Sequence, residues 1–325
     1  MNALIIGLGR IGRHILRECL DQYTLNISIY DLNNNLEYLC YFLNFDSTYF
    51  LKEERFVFDL NKKTIFDKQT NKSIYFIDPQ NFEGDFIIDS SGSYDVFNSC
   101  IKIGKKTYIT NAVDSKYVDN YVIPNVSKKV NGKIISMNIC DVCAIGPILN
   151  YVHNKYTIES GAIITMHPWL NYQNLSDNYL ESLYDKSTFW HQYHLGRKTT
   201  ESLISKSTTF VDSLCLALPF FKNKLHGWSY RIPSPIVASA TLSINLKSKP
   251  NHSNDFINDL LSSPGIIEGD KNKISSDYIG LKQSAALDTH NLYLKDRFVN
   301  LKVWYDNELG YVSQILKYIS ENEGF

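Results

Sequence analysis

Two cysteines three positions apart, Cys140 and Cys143, sit where a short strand-like run gives way to the apolar segment Ala144-Ile145-Gly146-Pro147, which reads as the start of a helix. A helix N-terminus favours a thiolate over a thiol, so a cysteine placed there is a candidate nucleophile. His167 ends a second strand-like run over residues 161–166. An imidazole there could pair with the sulfur and act as acid and base. Taken singly, each residue also has an ordinary reading: an isolated cysteine is most often a small buried hydrophobe, and an isolated histidine a structural one. Asp141 directly follows Cys140. Its carboxylate opposes a thiolate beside it, while its everyday use would be to cap a helix starting at Val142.

A second constellation opens the chain. Gly7-Leu8-Gly9-Arg10-Ile11-Gly12 is a G-x-G-x-x-G between a strand-like run over 2–6 and a helical one over 10–20. Gly7 permits the tight turn, Gly9 lets a pyrophosphate approach the backbone, and Gly12 lets helix and strand pack closely. The helix N-terminus then offers its free N–H groups to phosphate. Asp31 ends the next strand, near the offset expected for a carboxylate that binds a ribose diol. It would repel the extra phosphate of NADP, so NAD is the expected cofactor. The rival use of Asp31 is to cap a helix from Leu32 onward.

These residues need elements to hold them. Strand-like runs over 2–6, 25–30, 86–89 and 107–109 alternate with helical ones over 10–20 and 36–45, and short strands over 56–58, 64–66 and 74–77 form a meander. Strands 86–89 and 107–109 end in small polar residues, Ser90-Ser91-Gly92 and Thr110-Asn111. Ser91, Gly92 and Thr110 are therefore candidate cofactor contacts, since ligands of doubly wound sheets bind beyond the carboxyl ends of strands. After residue 139 the pattern changes to long runs over 161–166, 236–246 and 299–304, as in a mixed or antiparallel sheet. The expected fold is α/β, with a Rossmann-type doubly wound NAD-binding domain over 1–139 and an α+β catalytic domain over 140–307. A helix over 308–325 should return to the first domain.

The bulk composition excludes several classes. The chain has 325 residues with 44% hydrophobic and 21% charged, and its 33 basic against 34 acidic side chains leave a net charge of -1. Nothing in that balance points to nucleic acid or an anionic membrane. No apolar run approaches the ~20 residues that span a bilayer. Six cysteines in a chain this long do not make a disulfide scaffold, so a reducing cytoplasmic setting is expected. A Cys140–Cys143 redox pair is one alternative. A zinc site is not expected, because no second Cys or His pair lies at suitable spacing.

Over nearly its whole length the sequence resembles glyceraldehyde-3-phosphate dehydrogenases. The resemblance rests on Gly7 to Arg13 (GLGRIGR), Asp31-Leu32, Ser136 to Pro147, Thr165-Met166-His167, Gly196-Arg197, Ser207-Thr208, Gly227 to Pro235 (GWSYRIPSP) and Trp304 to Tyr311 (WYDNELGY). It implies that Cys140 is the nucleophile, His167 its acid and base, and Asn307 the residue orienting the nicotinamide amide. Arg197, Thr208 and Arg231 fall on the anion-binding stretches. The implied chemistry is NAD-dependent oxidation of a small, phosphorylated aldehyde through a cysteine thioester, in a homotetramer. Rival readings are another aldehyde such as erythrose 4-phosphate, with water as acceptor, or an NAD-binding regulator without catalysis.

The chain also departs from that family. Ile139 and Asp141 replace hydroxyl residues flanking the nucleophile, Leu170 and Tyr172 replace a Thr and an Asp after the histidine, and Cys143 replaces an Asn. Asp141 would weaken an acyl-accepting phosphate site unless Arg197 neutralises it. The stretch between His167 and Arg197, with Trp190, His191 and His194, is longer than in the family. It is expected to lie near a neighbouring subunit's cofactor.

Overall fold

The computed structural model describes residues 1–170, 172–180 and 193–325. It divides into two compact units, Met1–Val122 with Lys128–Asn138 and Ile315–Phe325, and Ile123–Ser127 with Ile139–Gln314. Residues 123–127, placed by sequence with the first domain, thus cluster with the second unit.

The first unit holds β1 (Asn2–Ile6), β2 (Asn26–Tyr30), β3 (Phe56–Asp59), β4 (Thr64–Asp67), β5 (Lys72–Phe76), β6 (Phe86–Asp89), β7 (Lys106–Ile109), β8 (Asn120–Tyr121) and β9 (Ile134–Ser136). Its helices are α1 (Arg10–Gln22), α2 (Leu36–Asn44) and α3 (Tyr94–Ile103). The strands form one sheet in the order β3-β4-β5-β2-β1-β6-β7-β9-β8. β1 pairs in parallel with β2 on one side and β6 on the other, so the winding reverses at β1 and the ligand crevice of such a sheet opens beyond its carboxyl end. Ala3 to Ile6 are all buried, as a central parallel strand covered on both faces requires. Leu4, Ile6 and Ile87 pack with Val96 and Cys100 of α3. The antiparallel edge of β3, β4 and β5 is pinned by Arg55, whose guanidinium donates to both carboxylate oxygens of Asp67, at 2.8 and 2.7 Å.

The second unit holds β10 (Ile158–Pro168), β11 (Ile204–Ser207), β12 (Leu225–Ile232), β13 (Ala238–Leu246), β14 (Ile266–Glu268), β15 (Ala285–Leu287), β16 (Tyr293–Lys295) and β17 (Phe298–Tyr305). Helices α4 (Cys140–Tyr156), α5 (Phe210–Ala217) and α6 (Ser253–Leu261) accompany them, and α7 (Leu309–Glu323) begins here and ends in the first unit. The sheet runs β11-β12-β10-β13-β17-β15-β14, with β16 on β17. It is mixed: β10 runs parallel to β12 but antiparallel to β13, which is antiparallel to β17. Ile145, Leu149 and Val152 of α4 share one core with Ile163, Leu242, Ile244, Leu301 and Val303 from the strands. Residues 181–192, with Trp190 and His191, lie outside the described residues. Among the described residues no helix is long and apolar enough to cross a membrane.

Candidate active site

At the end of β1 the backbone turns through Gly7, at φ +85°, a left-handed conformation that a side chain would strain. A Cβ on Gly7 would also meet the Ser91 backbone at 2.6 Å, and one on Gly12 would meet the Gly7 carbonyl oxygen at 1.8 Å. Gly9, by contrast, has nothing within 4 Å of its Cβ position. It caps α1 without a side-chain hydrogen bond, which leaves the helix start open to an incoming anion. Asp31 does not cap a helix, since α2 begins at Leu36 behind an Asn35 cap. Its carboxylate accepts from the Leu8 and Asn33 amides, at 2.5 and 2.8 Å. A carboxylate has acceptor capacity beyond two bonds, enough for a ribose diol as well. Ser91, Gly92 and Thr110 follow the carboxyl ends of β6 and β7. The Ser91 hydroxyl donates to Asp89 at 2.6 Å, Thr110 donates its amide to the Asp89 carbonyl at 2.9 Å, and Gly92 turns at φ +66°. This glycine cradle fits a dinucleotide.

The second constellation is assembled by the register of the mixed sheet. Parallel pairing of β10 and β12 sets His167 beside Arg231. The β10–β13 register reaches Met166 opposite Ser239, so the next rung brings His167 beside Ala238, and Ala238 pairs with Tyr305 on β17. One row across four strands thus carries Arg231, His167, the small Ala238 and Tyr305. α4 delivers Cys140 to this row as its first residue, after a turn through Asn138 at φ +63°. Asn tolerates that left-handed conformation better than most residues.

Cys140 Sγ lies 3.6 Å from His167 Nε2 and 3.6 Å from Asp141 Oδ1. His167 Nδ1 sits 2.8 Å from the Pro168 carbonyl oxygen. A carbonyl only accepts, so Nδ1 carries the hydrogen and Nε2 turns its lone pair to the sulfur. The single thiol proton therefore has two acceptors at equal distance. Asp141 is buried, and Tyr305 donates its hydroxyl to Asp141 Oδ1 at 2.8 Å. This corrects the capping role expected for Asp141: α4 starts two residues before the expected Val142, with Ile139 as cap.

The electrostatics also correct the expectation of a thiolate favoured by the helix start. Burial first, then the charge of Asp141, push the Cys140 thiol well above its ordinary range, and Arg231 only partly opposes them. Burial and the neighbouring Arg231 push His167 down to about 4, with Asp141 pulling the other way. Neutral thiol and neutral imidazole are the favoured pair. Burial and the Asp141 charge likewise push Tyr305 up, which keeps its hydroxyl a donor.

Arg231 is buried, and its Nε has no hydrogen-bond partner among the described residues, so it is a desolvated cation beside the sulfur. Lys206, which the sequence reading passed over, also acts on His167. Thr208 uses its hydroxyl to accept from the Phe210 amide at 3.0 Å. Arg197 is exposed and pairs with Asp177 at 2.9 Å. The pairing of Arg197 with Asp141 is therefore not formed, and the positive charge next to the thiol belongs to Arg231. Asn307 is buried with its Oδ1 lacking a partner among the described residues, and the preceding Asp306 caps the start of α7 through the Glu308 and Leu309 amides, at 3.0 and 2.8 Å. Cys140 and Cys143 are both free thiols.

A Rossmann-type unit with a glycine cradle and a mixed-sheet unit presenting a cysteine beside a histidine are the parts expected of a nicotinamide-dependent dehydrogenase. Residues 139–307 match the family model described as glyceraldehyde 3-phosphate dehydrogenase, C-terminal domain. A Helicobacter pylori protein named glyceraldehyde-3-phosphate dehydrogenase is 30% identical over 97% of this chain and 97% of its own. Glyceraldehyde-3-phosphate dehydrogenase 1 of Schizosaccharomyces pombe is 26% identical over 97% of this chain and 96% of its own. The chain belongs to the glyceraldehyde-3-phosphate dehydrogenase family, and its cofactor is NAD.

Proposed function

We propose that the protein oxidises a small, phosphorylated aldehyde, in the first place glyceraldehyde 3-phosphate, through a thioester on Cys140. The observation that carries this reading is the thiol at the start of α4, 3.6 Å from the lone-pair nitrogen of His167 and beside the buried cation of Arg231. Transfer of the thiol proton to His167 Nε2 or to Asp141 frees Sγ to add to the aldehyde carbon. That proton passes to the oxyanion so formed, giving the hemithioacetal, and the emptied His167 Nε2 takes the hydroxyl proton again as the carbon is oxidised. NAD, when bound, supplies the hydride acceptor, and Asn307, with a free amide oxygen, orients the nicotinamide. Arg231, with Lys206, Thr208 and Arg197, attracts the anionic group of the substrate.

One observation favours a particular acyl acceptor. Asp141 is buried against the sulfur, where a carboxylate about 4 Å from a phosphate costs on the order of 1–4 kcal/mol. Water avoids that repulsion, and Asp141 or His167 can take its proton. The decisive experiment is NAD reduction with a panel of aldehydes, with and without phosphate or arsenate. Turnover that continues without phosphate supports hydrolysis of the thioester, and strict phosphate dependence overturns it. No turnover with any aldehyde overturns the dehydrogenase reading in favour of an NAD-binding regulator.

A further inference from the structure

The groups around the thiol have a geometry that also suits a second chemistry. Ligand atoms of Cys140, Asp141 and His167 lie within 4.8 Å of one another. A tetrahedral ion with sulfur at about 2.3 Å and nitrogen or oxygen at about 2.0 Å sets sulfur–nitrogen and sulfur–oxygen edges of about 3.5 Å. Both edges measured from Cys140 Sγ are 3.6 Å. The supporting bonds are those of a metal site too. His167 gives its other ring nitrogen to the Pro168 carbonyl, which fixes the tautomer that exposes Nε2, and Asp141 is steadied by the Tyr305 hydroxyl. Three such ligands are the number that an open zinc site takes from the protein.

We propose that Cys140 Sγ, the Asp141 carboxylate and His167 Nε2 form a binding site for Zn2+, and that its occupancy silences the thiol. Binding forms sulfur–, oxygen– and nitrogen–metal bonds and breaks the S–H bond, whose proton leaves to solvent. Thiolate and carboxylate together neutralise the ion, which offsets the repulsion from Arg231 next door. No oxidation or reduction takes place. The silencing follows because the metal draws the thiolate's charge to itself and occupies His167 Nε2, the group that handles the proton, so that half rests on Cys140 being the nucleophile. Asp141 is the ligand that departs from the family pattern, so the site is a property of this chain.

The test separates the two halves. Co2+ titrated into the chelator-treated, full-length protein should give a thiolate-to-cobalt absorption band saturating at one ion per chain, bleached by equimolar Zn2+. Cys140→Ser should abolish the band, Asp141→Asn should weaken binding at least tenfold, and Cys143→Ser should leave it unchanged. In the unsubstituted protein, one equivalent of Zn2+ should shield Cys140 from a small thiol reagent, with EDTA reversing the protection; this arm needs no variant to fold. A band that survives Cys140→Ser, an affinity unaltered in Asp141→Asn, or a thiol left unprotected by Zn2+ would each overturn the site. Metal binding at Cys140 that leaves aldehyde oxidation at full rate would uphold the site and refute Cys140 as the nucleophile.

Discussion

Replacing Asp141 by Asn removes a charge 3.6 Å from the sulfur while keeping an oxygen to accept from Tyr305. At that separation two unit charges interact by about 1 kcal/mol under water-like screening and by about 5 kcal/mol at the effective dielectric of a partly buried pair. A factor of ten in an equilibrium is about 1.4 kcal/mol, so the thiolate fraction should rise about 10- to 1000-fold in Asp141→Asn. A less basic thiolate is a poorer nucleophile, with a Brønsted slope of about 0.4–0.5. Reaction of Cys140 with a small neutral disulfide at about pH 7 should therefore accelerate about 3- to 50-fold. The assay is the release of chromophore from dithiodipyridine, in EDTA, with Cys140→Ser as background. A rate that is unchanged or slower in Asp141→Asn would refute the view that this carboxylate holds the thiol protonated.

Cys140→Ser should bring NAD reduction to background while NADH still binds by fluorescence titration, and Cys143→Ser should retain turnover; equal loss in both would point to a redox pair. Asp31→Ala should weaken NADH about tenfold, the worth of a charge-assisted hydrogen bond, and narrow the gap to NADPH; a wild-type preference for NADPH contradicts this. Light scattering should report a homotetramer at working concentration, and a stable monomer is the opposing result. Asp67 is fully buried; burial alone would raise its pKa, but the hydrogen bonds of Arg55, Thr70 and the Gln69 amide outweigh it and lower the value. A carboxyl lowered in the fold stabilises above its unfolded value of about 3.9 and loses that contribution as pH falls through the folded one. Asp67→Asn should thus cost about 3 kcal/mol, the lower end for a broken buried pair because Arg55 keeps Asp21, and flatten the fall of thermal stability below about pH 4; a variant as stable as wild type in calorimetry rejects this.

Most elements of the first unit were legible because their signals are local, although α3, β8 and β9 were not read. A continuous apolar run makes β1, a glycine turn must follow, and the apolar spacing of Ile15, Leu16 and Leu20 makes α1. The second unit was harder because its information lies between strands. β12 puts its aromatic residues Trp228 and Tyr230 on the less buried face and the polar Ser229 and Arg231 on the buried one, so its alternation is inverted and the stretch reads as an anion-binding loop. α5 and α6 span only 8 and 9 residues, too short for periodicity to stand out. Asp141 reads as a cap because local rules see only its position in α4. Its actual partner, Tyr305, is 164 residues away and meets it only once the sheet is built. Spacing rules for zinc cannot register the proposed trio for the same reason: two of its residues are adjacent, and the third arrives on a different element.

The row of Arg231, His167, Ala238 and Tyr305 also accounts for how a carboxylate is tolerated at the nucleophile. With Asp141 ionised and Arg231 charged, the group balances while Cys140 and His167 stay neutral, which is where burial pushes them. Ionising the thiol alone would leave an uncompensated buried anion, a costly state. Ionisation that leaves the proton on His167 or Asp141 keeps the balance. Activation of the thiol toward a carbonyl carbon is therefore a transfer within the site rather than a loss to solvent, whereas a divalent metal takes the proton's place and supplies the compensating charge itself. The same constraint that suppresses the free thiolate thus selects which electrophiles the site can answer.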